Sequence, residues 1–254
     1  MLGFSCILDV NSKHILTAKI VETTINEIDL AIEHLLNLNR RFDIKNFITI
    51  HDRGYASLEL MMKTMDLNSK FLIRLPKKLY LKAKLKKMKS NDEIIEINIT
   101  NNRLKHFNDL KLREKVRRMG RVKIRIVLVD IGNDELEILA TNLTKEEFTI
   151  EELKELYGKR WAIETGFDRL KNILEIEDFS GTRRIIIEQD FYAHIFVYNL
   201  AITIKSDAEK RITRTPINTE DKITYHSNFA KIVGNIYTYF YELYILSPER
   251  KKNK

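Results

Sequence analysis

Tyr157-Gly-Lys-Arg160-Trp-Ala-Ile-Glu164-Thr-Gly-Phe-Asp-Arg-Leu-Lys171 is the stretch from which the fold is read. It follows Thr149-Ile-Glu-Glu152, a capping box in which a hydroxyl is followed three residues later by a carboxylate. Leu156, Ile163, Phe167, Leu170 and Leu174 recur at helical spacing and predict one apolar stripe. On a single continuous helix, Tyr157, Arg160, Glu164 and Lys171 fall within a second arc roughly 60° wide, beside that stripe. One carboxylate is thereby expected on a half-buried helix, flanked by a phenol, a guanidinium and an ammonium. Such a set suits a metal ion and several phosphates, although an ordinary charged helix face has the same composition.

A second acid stands far away in sequence. Lys45-Asn-Phe-Ile-Thr-Ile-His-Asp52 reads as a short apolar strand that ends in a carboxylate before the turn Arg53-Gly54-Tyr55. An acid at the carboxyl end of a buried strand is where α/β sheets place their chemistry. Two acids brought together can share divalent ions at a phosphodiester.

Tyr157, Arg160, Glu164 and Lys171 match the Y-(2)-R-(3)-E-(6)-K signature of bacterial insertion-sequence transposases. The chain resembles the large group of these enzymes (the IS-four group) that cut and paste DNA with a DDE triad. His51-Asp-Arg-Gly-Tyr55 resembles the segment around the group's second Asp, and Ala140-Thr-Asn-Leu143 its lead-in to the last catalytic helix. The resemblance runs from about residue 4 to about residue 200. It implies an α/β fold: a ribonuclease-H-like mixed sheet flanked by helices and interrupted by a β-rich insertion. It also implies Asp52 and Glu164 as catalytic metal ligands for Mg²⁺ or Mn²⁺, and Tyr157, Arg160 and Lys171 as DNA-binding residues. The expected partners are double-stranded DNA at transposon ends, target DNA, and a second copy in a homodimer on DNA.

The family's first Asp has no counterpart. The sequence begins at what resembles the family's second strand, so the first strand is expected to be missing and the chain reads as the carboxyl-terminal part of a transposase. Whether it is an enzyme is left open by that gap: alone, with two of three acids, it is expected to be inactive. The alternative is a non-enzymatic DNA-binding or dimerising remnant that inhibits a full-length transposase. Asp9, at the far end of an early strand, reads as a turn former and not as the missing acid.

Composition sets outer bounds. The 254 residues carry a net charge of +8, which points to a polyanionic partner. Residues 77–120 hold fourteen Lys or Arg against five Asp or Glu, 14 − 5 = +9, enough to account for the whole imbalance. Lys82 to Lys89 reads either as a phosphate-tracking surface or as a solvated lysine-rich face. The single Cys6 excludes an intramolecular disulfide and lies in an apolar run. With no run of eighteen apolar residues and no signal peptide, a cytoplasmic protein without a membrane partner is expected.

The predicted order is hairpin strands at Gly3–Val10 and His14–Val21, helix Ile25–Leu38, the Asp52 strand, helix Leu58–Met65 and strand Lys70–Leu75. Further strands are predicted at Glu93–Thr100, Arg121–Val129 and Glu135–Thr141, the last two turning at Gly132-Asn-Asp. A helix follows over Phe191–Ile202, then a polar loop over Ser206–Asn218 and a final helix from His226 to Leu246. The organisation expected is 1–76 as the first part of the core, 77–143 as the basic insertion, 144–205 completing the core, and 206–254 as a helical region. Trp161 and Phe167 read as packing residues, Trp161 alternatively as a stacking platform for an unpaired base. His194 reads as a satisfied core histidine, and Asp168 as a weak further ligand.

Overall fold

The computed structural model describes residues 2–42, 47–76, 88–130, 136–214 and 227–246. Lys82 to Lys87, the Gly132-Asn-Asp turn and the end of the polar segment beyond Arg214 lie outside them. The chain divides into two compact units, one of Val21–Trp161 and one of Leu2–Ile20 with Ala162–Lys254.

The first unit opens with helix α1 (Glu27–Phe42) and is built on a five-stranded mixed sheet. Its strands are β3 (Ile48–His51), β4 (Lys70–Leu75), β5 (Asp92–Asn98), β6 (Arg121–Asp130) and β7 (Leu136–Thr141), in the order β3-β4-β7-β6-β5. β3 and β4 run parallel, with His51 opposite Ile73, and the crossover between them carries helix α2 (Leu58–Asp66). The other pairings are antiparallel. The strands predicted at 93–100, 121–129 and 135–141 therefore continue the sheet of the Asp52 strand. Where the backbone of β7 leaves the sheet, side chains carry on the bonding. Asn142 Oδ1 accepts from the Phe71 amide at 2.8 Å, Asn142 Nδ2 donates to Ser69 O at 3.1 Å, and the buried Thr141 hydroxyl donates to Phe71 O. The Ala140–Leu143 segment thus has a structural role of its own, since it supplies partners for polar groups that would otherwise be stranded at the end of the ladder.

Side-chain alternation then sorts the sheet's two faces. Ile48 and Leu72, Leu139 and Val127, and Val129 share the face that packs Leu153 and Leu156 of helix α5 (Ile150–Gly158). α5 starts where expected, with the Thr149–Glu152 capping box formed in both directions. Each fully buried Leu in this layer is worth about 2 kcal/mol.

Two helices in 101–119, α3 (Asn101–Leu104) and α4 (Leu110–Met119), were not among the predicted elements. Asp109 caps α4 by accepting from the amides of Lys111 and Leu112, both at 3.0 Å. The buried Glu59 on α2 accepts from the Asn108 and Asp109 amides at 2.8 and 2.9 Å. Gly120 closes the helix at φ +66°, a conformation glycine adopts without steric cost.

In the second unit, β1 (Leu2–Leu8) and most of β2 (Ile15–Glu22) form a two-stranded sheet of their own. Asp9 shapes the turn, accepting from Asn11 N at 3.0 Å and from the Ser12 hydroxyl at 2.6 Å, as its reading as a turn former implies. This hairpin is docked on helix α7 (Arg184–Arg214) by Asn199, whose amide bonds both Ile15 N at 2.8 Å and Ile15 O at 2.9 Å. Helix α6 (Trp161–Asn172) packs on the same cluster, with Leu170, Phe191, Tyr198 and Phe229 at its centre. Gly166 is what lets α6 approach: a Cβ there would sit 2.8 Å from Leu8 Cδ1. Helix α8 (Phe229–Leu246) completes the layer against α7. Cys6 is packed against this core, and burial pushes its thiol up to about 12, so it is inert. The helix over 184–214 overturns the loop expected at Ser206 for as far as Arg214. Lys205 with Glu209 and Arg211 with Asp207 pair at i,i+4, so polar residues there decorate a helix. Among the described residues no helix is long and apolar enough to cross a membrane.

Candidate metal and nucleic-acid site

The face of the sheet that packs α5 changes character at its upper edge. One step beyond the His51–Ile73 pairing, Asp52 comes level with Arg74, and Glu137 lies two residues along β7 from Leu139, the partner of Arg74. By alternation all three project from the α5 face, where the apolar layer gives way to an acid, a base and an acid. Arg74 Nη2 lies 2.5 Å from Glu137 Oε1, and its Nη1 lies 3.9 Å from Asp52 Oδ1. Burial grades outward: the Glu137 side chain is 10% exposed, Arg74 21% and Asp52 47%.

Tyr157 closes the cluster from the last turn of α5. Its ring packs on the apolar layer below, and its hydroxyl donates to Asp52 Oδ1 at 3.2 Å. Arg160 follows one turn later, with its guanidinium 5.8 Å from the Tyr157 ring centre and 5.6 Å from that of Trp161. Partial burial would raise the Asp52 pKa. The Arg53 backbone amide, the Tyr157 hydroxyl and the charges of Arg160 and Arg74 outweigh it, and the net shift is downward. Burial, seconded by the charge of Asp52, pushes the Tyr157 phenol up to about 12. At neutral pH the pair is a carboxylate accepting from a phenol. Behind Asp52, His51 lies on the opposite face; burial lowers its imidazole to about 4 and keeps it neutral.

The expectation of one continuous helix carrying four signature residues is corrected here. The helical ladder stops at Gly158, and Arg160 N bonds Tyr157 O at 3.0 Å, an i→i−3 turn. Tyr157 belongs to α5, Arg160 to the turn, and Glu164 and Lys171 to α6. The physical reason is that the apolar stripe serves two cores. Leu156 packs on the sheet of the first unit, whereas Ile163, Phe167, Leu170 and Leu174 pack in the second. The structure thus brings Asp52, Tyr157 and Arg160 together within the first unit. Glu164 and Lys171 belong to the second.

On α6, Glu164 is an exposed residue of the first turn. Lys171 Nζ lies 3.0 Å from Glu177 Oε1 and 5.9 Å from the Phe4 ring centre. Asp168 accepts from Asn172 at 2.7 Å, one helical turn on. Phe167 packs edge-on against Phe4 at 5.3 Å, as a packing residue should. Trp161 does not: it is 65% exposed, because it falls at the helix break where neither core reaches it. His194 Nδ1 lies 2.8 Å from Asp190 O, and is satisfied within its own helix.

Arg74 and Glu137 were not singled out in the sequence. Their signal was present: Arg74 is a charge inside the apolar run Phe71-Leu-Ile-Arg-Leu75, and Glu137 is the single charge in Leu136-Glu-Ile-Leu-Ala-Thr141.

Asp52 and Glu164 each offer carboxylate oxygens, the donor type that hard divalent cations take. Among the described residues no three His, Cys, Asp or Glu side chains cluster as a ready metal cage.

Comparison with curated protein sequences yields no match. Among solved structures, the chain is similar to a piggyBac transposase in a synaptic complex with hairpin DNA, at a TM-score of 0.52 and 11% identity. The alignment covers 96% of this chain and 48% of that one, so this chain spans about half the length of that transposase. At such identity the likeness speaks to the fold alone. Residues 4–200, which carry Asp52 and the whole Tyr157–Lys171 stretch, match the model of the transposase DDE domain, and the chain belongs to that family.

Proposed function

We propose that the chain acts in DNA transposition, with Asp52 and Glu164 as catalytic ligands for Mg²⁺ or Mn²⁺ and with Tyr157, Arg160 and Lys171 gripping DNA phosphates. The supporting observation is the surroundings of Asp52: an ionised carboxylate at a strand end, fixed by the Tyr157 hydroxyl at 3.2 Å in a DDE-domain chain. Divalent ions held by the two acids would activate the attacking water or 3′ hydroxyl and stabilise the leaving oxygen. The chain's own residues do the rest. Tyr157 orients Asp52, Arg160 offers a planar guanidinium for a phosphate, and Lys171 a point charge. The exposed Trp161 ring would offer an unpaired base a stacking face.

In this reading the partners are double-stranded DNA at the ends of the element, target DNA, and a second copy of the chain on that DNA. The core is read as ribonuclease-H-like, with strands β5, β6 and β7 of the basic segment 77–143 built into its five-stranded sheet. The second reading is a non-enzymatic DNA-binding or dimerising remnant.

A plasmid carrying the coding frame with its flanking DNA, incubated with purified chain and Mg²⁺, separates the two. Metal-dependent cutting that disappears in both Asp52→Asn and Glu164→Gln supports the enzyme. Retarded DNA without cutting in Mg²⁺ or Mn²⁺ supports the remnant. Cutting that survives both substitutions removes the two acids from the chemistry.

A further inference from the structure

Arg74 stands between two carboxylates and is held closely by one of them. Its contact to Glu137 is 2.5 Å and buried; its contact to Asp52 is 3.9 Å and opens toward solvent. Strand register puts the three side chains on one face, so no backbone shift is needed for Arg74 to move from one acid to the other. We infer that Glu137 is a positioning residue: it tethers Arg74 off Asp52 and so keeps that carboxylate open for a divalent cation.

The physical basis is competition for one anion. A guanidinium seated on Asp52 would take the oxygens a cation needs, and its charge would repel the cation. At the observed spacing Arg74 reaches the same oxygen, Asp52 Oδ1, that accepts from the Tyr157 hydroxyl, without a close ion pair. Attraction strengthens with shorter distance and deeper burial, and both favour Glu137. Neutralising Glu137 leaves Asp52 as the acid within reach on that face, and Arg74 closes on it.

This inference rests on Asp52 being a metal ligand, and the experiment keeps the two apart. Mn²⁺ alone is titrated into the full chain, with free Mn²⁺ followed by its paramagnetic resonance signal, and folding of each variant is checked by circular dichroism. Asp52→Asn must weaken Mn²⁺ binding; if it does not, the metal reading of Asp52 fails and takes this inference with it. Given that loss, Glu137→Gln is expected to weaken binding by about threefold to tenfold. Arg74→Gln is expected to bind Mn²⁺ at least as tightly as the unaltered chain, and the double variant Arg74→Gln/Glu137→Gln to return to within about twofold of it.

Glu137→Asp separates position from charge. It keeps the negative charge but is one methylene too short to hold Arg74, so binding should weaken as in Glu137→Gln. Wild-type Mn²⁺ affinity in Glu137→Asp, beside a weakened Asp52→Asn, overturns the tether. Should Glu137→Gln not fold, the Arg74→Gln chain decides: weaker Mn²⁺ binding there overturns the inference as well.

Discussion

The Tyr157 hydroxyl and the Asp52 carboxylate shift each other's protonation in opposite directions. Asp52 sits below its ordinary value of 3.8, burial being outweighed by the Arg53 amide, Tyr157, Arg160 and Arg74. Its folded state therefore binds fewer protons than the unfolded chain in that range. The stability it contributes is present above pH 3.8 and is lost as pH falls through the folded value. Tyr157 is raised from 10.0 to about 12, so its contribution is intact below pH 10.0 and is lost as pH climbs toward 12. Tyr157→Phe should shift the Asp52 titration, followed by carboxyl NMR, upward toward its ordinary value. The same variant should unfold at slightly higher pH on the acid side and lose part of the wild type's alkaline instability. An unmoved Asp52 titration would mean that the 3.2 Å contact does not persist in solution. The sequence told which residues to watch here, since a phenol and an acid at signature positions were legible. It did not tell that the phenol meets Asp52, because that contact joins positions 105 residues apart and depends on how α5 lies on the sheet.

Elements were legible where periodicity was strong and hidden where charge masked it. β4 was predicted to the residue, Lys70–Leu75, because six residues bounded by a turn and Pro76 leave no other reading. α4 went unread: among 110–119 only Leu112 and Val116 are buried, and a basic surface drowns two apolar positions. Its ends were the available signal, Asp109 as cap and Gly120 as stop. Asp109 also bonds Lys63 Nζ at 2.8 Å, and its pKa is lowered by the Leu112 amide first and by Lys63 next. Asp109→Ala should therefore destabilise the first unit by about 1–2 kcal/mol, read as a lower urea midpoint at an unchanged slope. A change under about 0.3 kcal/mol would show that Glu59, bonded to the Asn108 and Asp109 amides, holds the helix start alone. The break after Gly158 was invisible for the opposite reason. The 3.6-residue pattern runs straight through it, and nothing in that pattern says that successive turns of the stripe belong to different cores.

At the scale of the whole molecule, charge is the property that sequence carries most directly, and it is concentrated: 77–120 holds +9 of a net +8. Part of that charge is already committed among the described residues: Lys115 pairs with Asp66 of α2 at 2.6 Å, and Arg117 and Arg118 flank Glu114. The lysines of 82–89 hold the two readings apart, because a phosphate-tracking surface and a solvated face differ in counterion release. Each phosphate neutralised on duplex DNA steepens the fall of log affinity with log salt by about 0.9. If the stretch tracks phosphates, replacing Lys84, Lys86 and Lys87 by Gln should weaken binding at low salt and flatten that slope by about 0.9 for each phosphate no longer neutralised. The weakening should be alike for unrelated duplexes, since backbone contacts carry no sequence information. Titrations at several salt concentrations on two unrelated duplexes read both effects at once. An unchanged slope in the triple variant would assign the lysines to solvent and leave Arg160 and Lys171 as the phosphate grip.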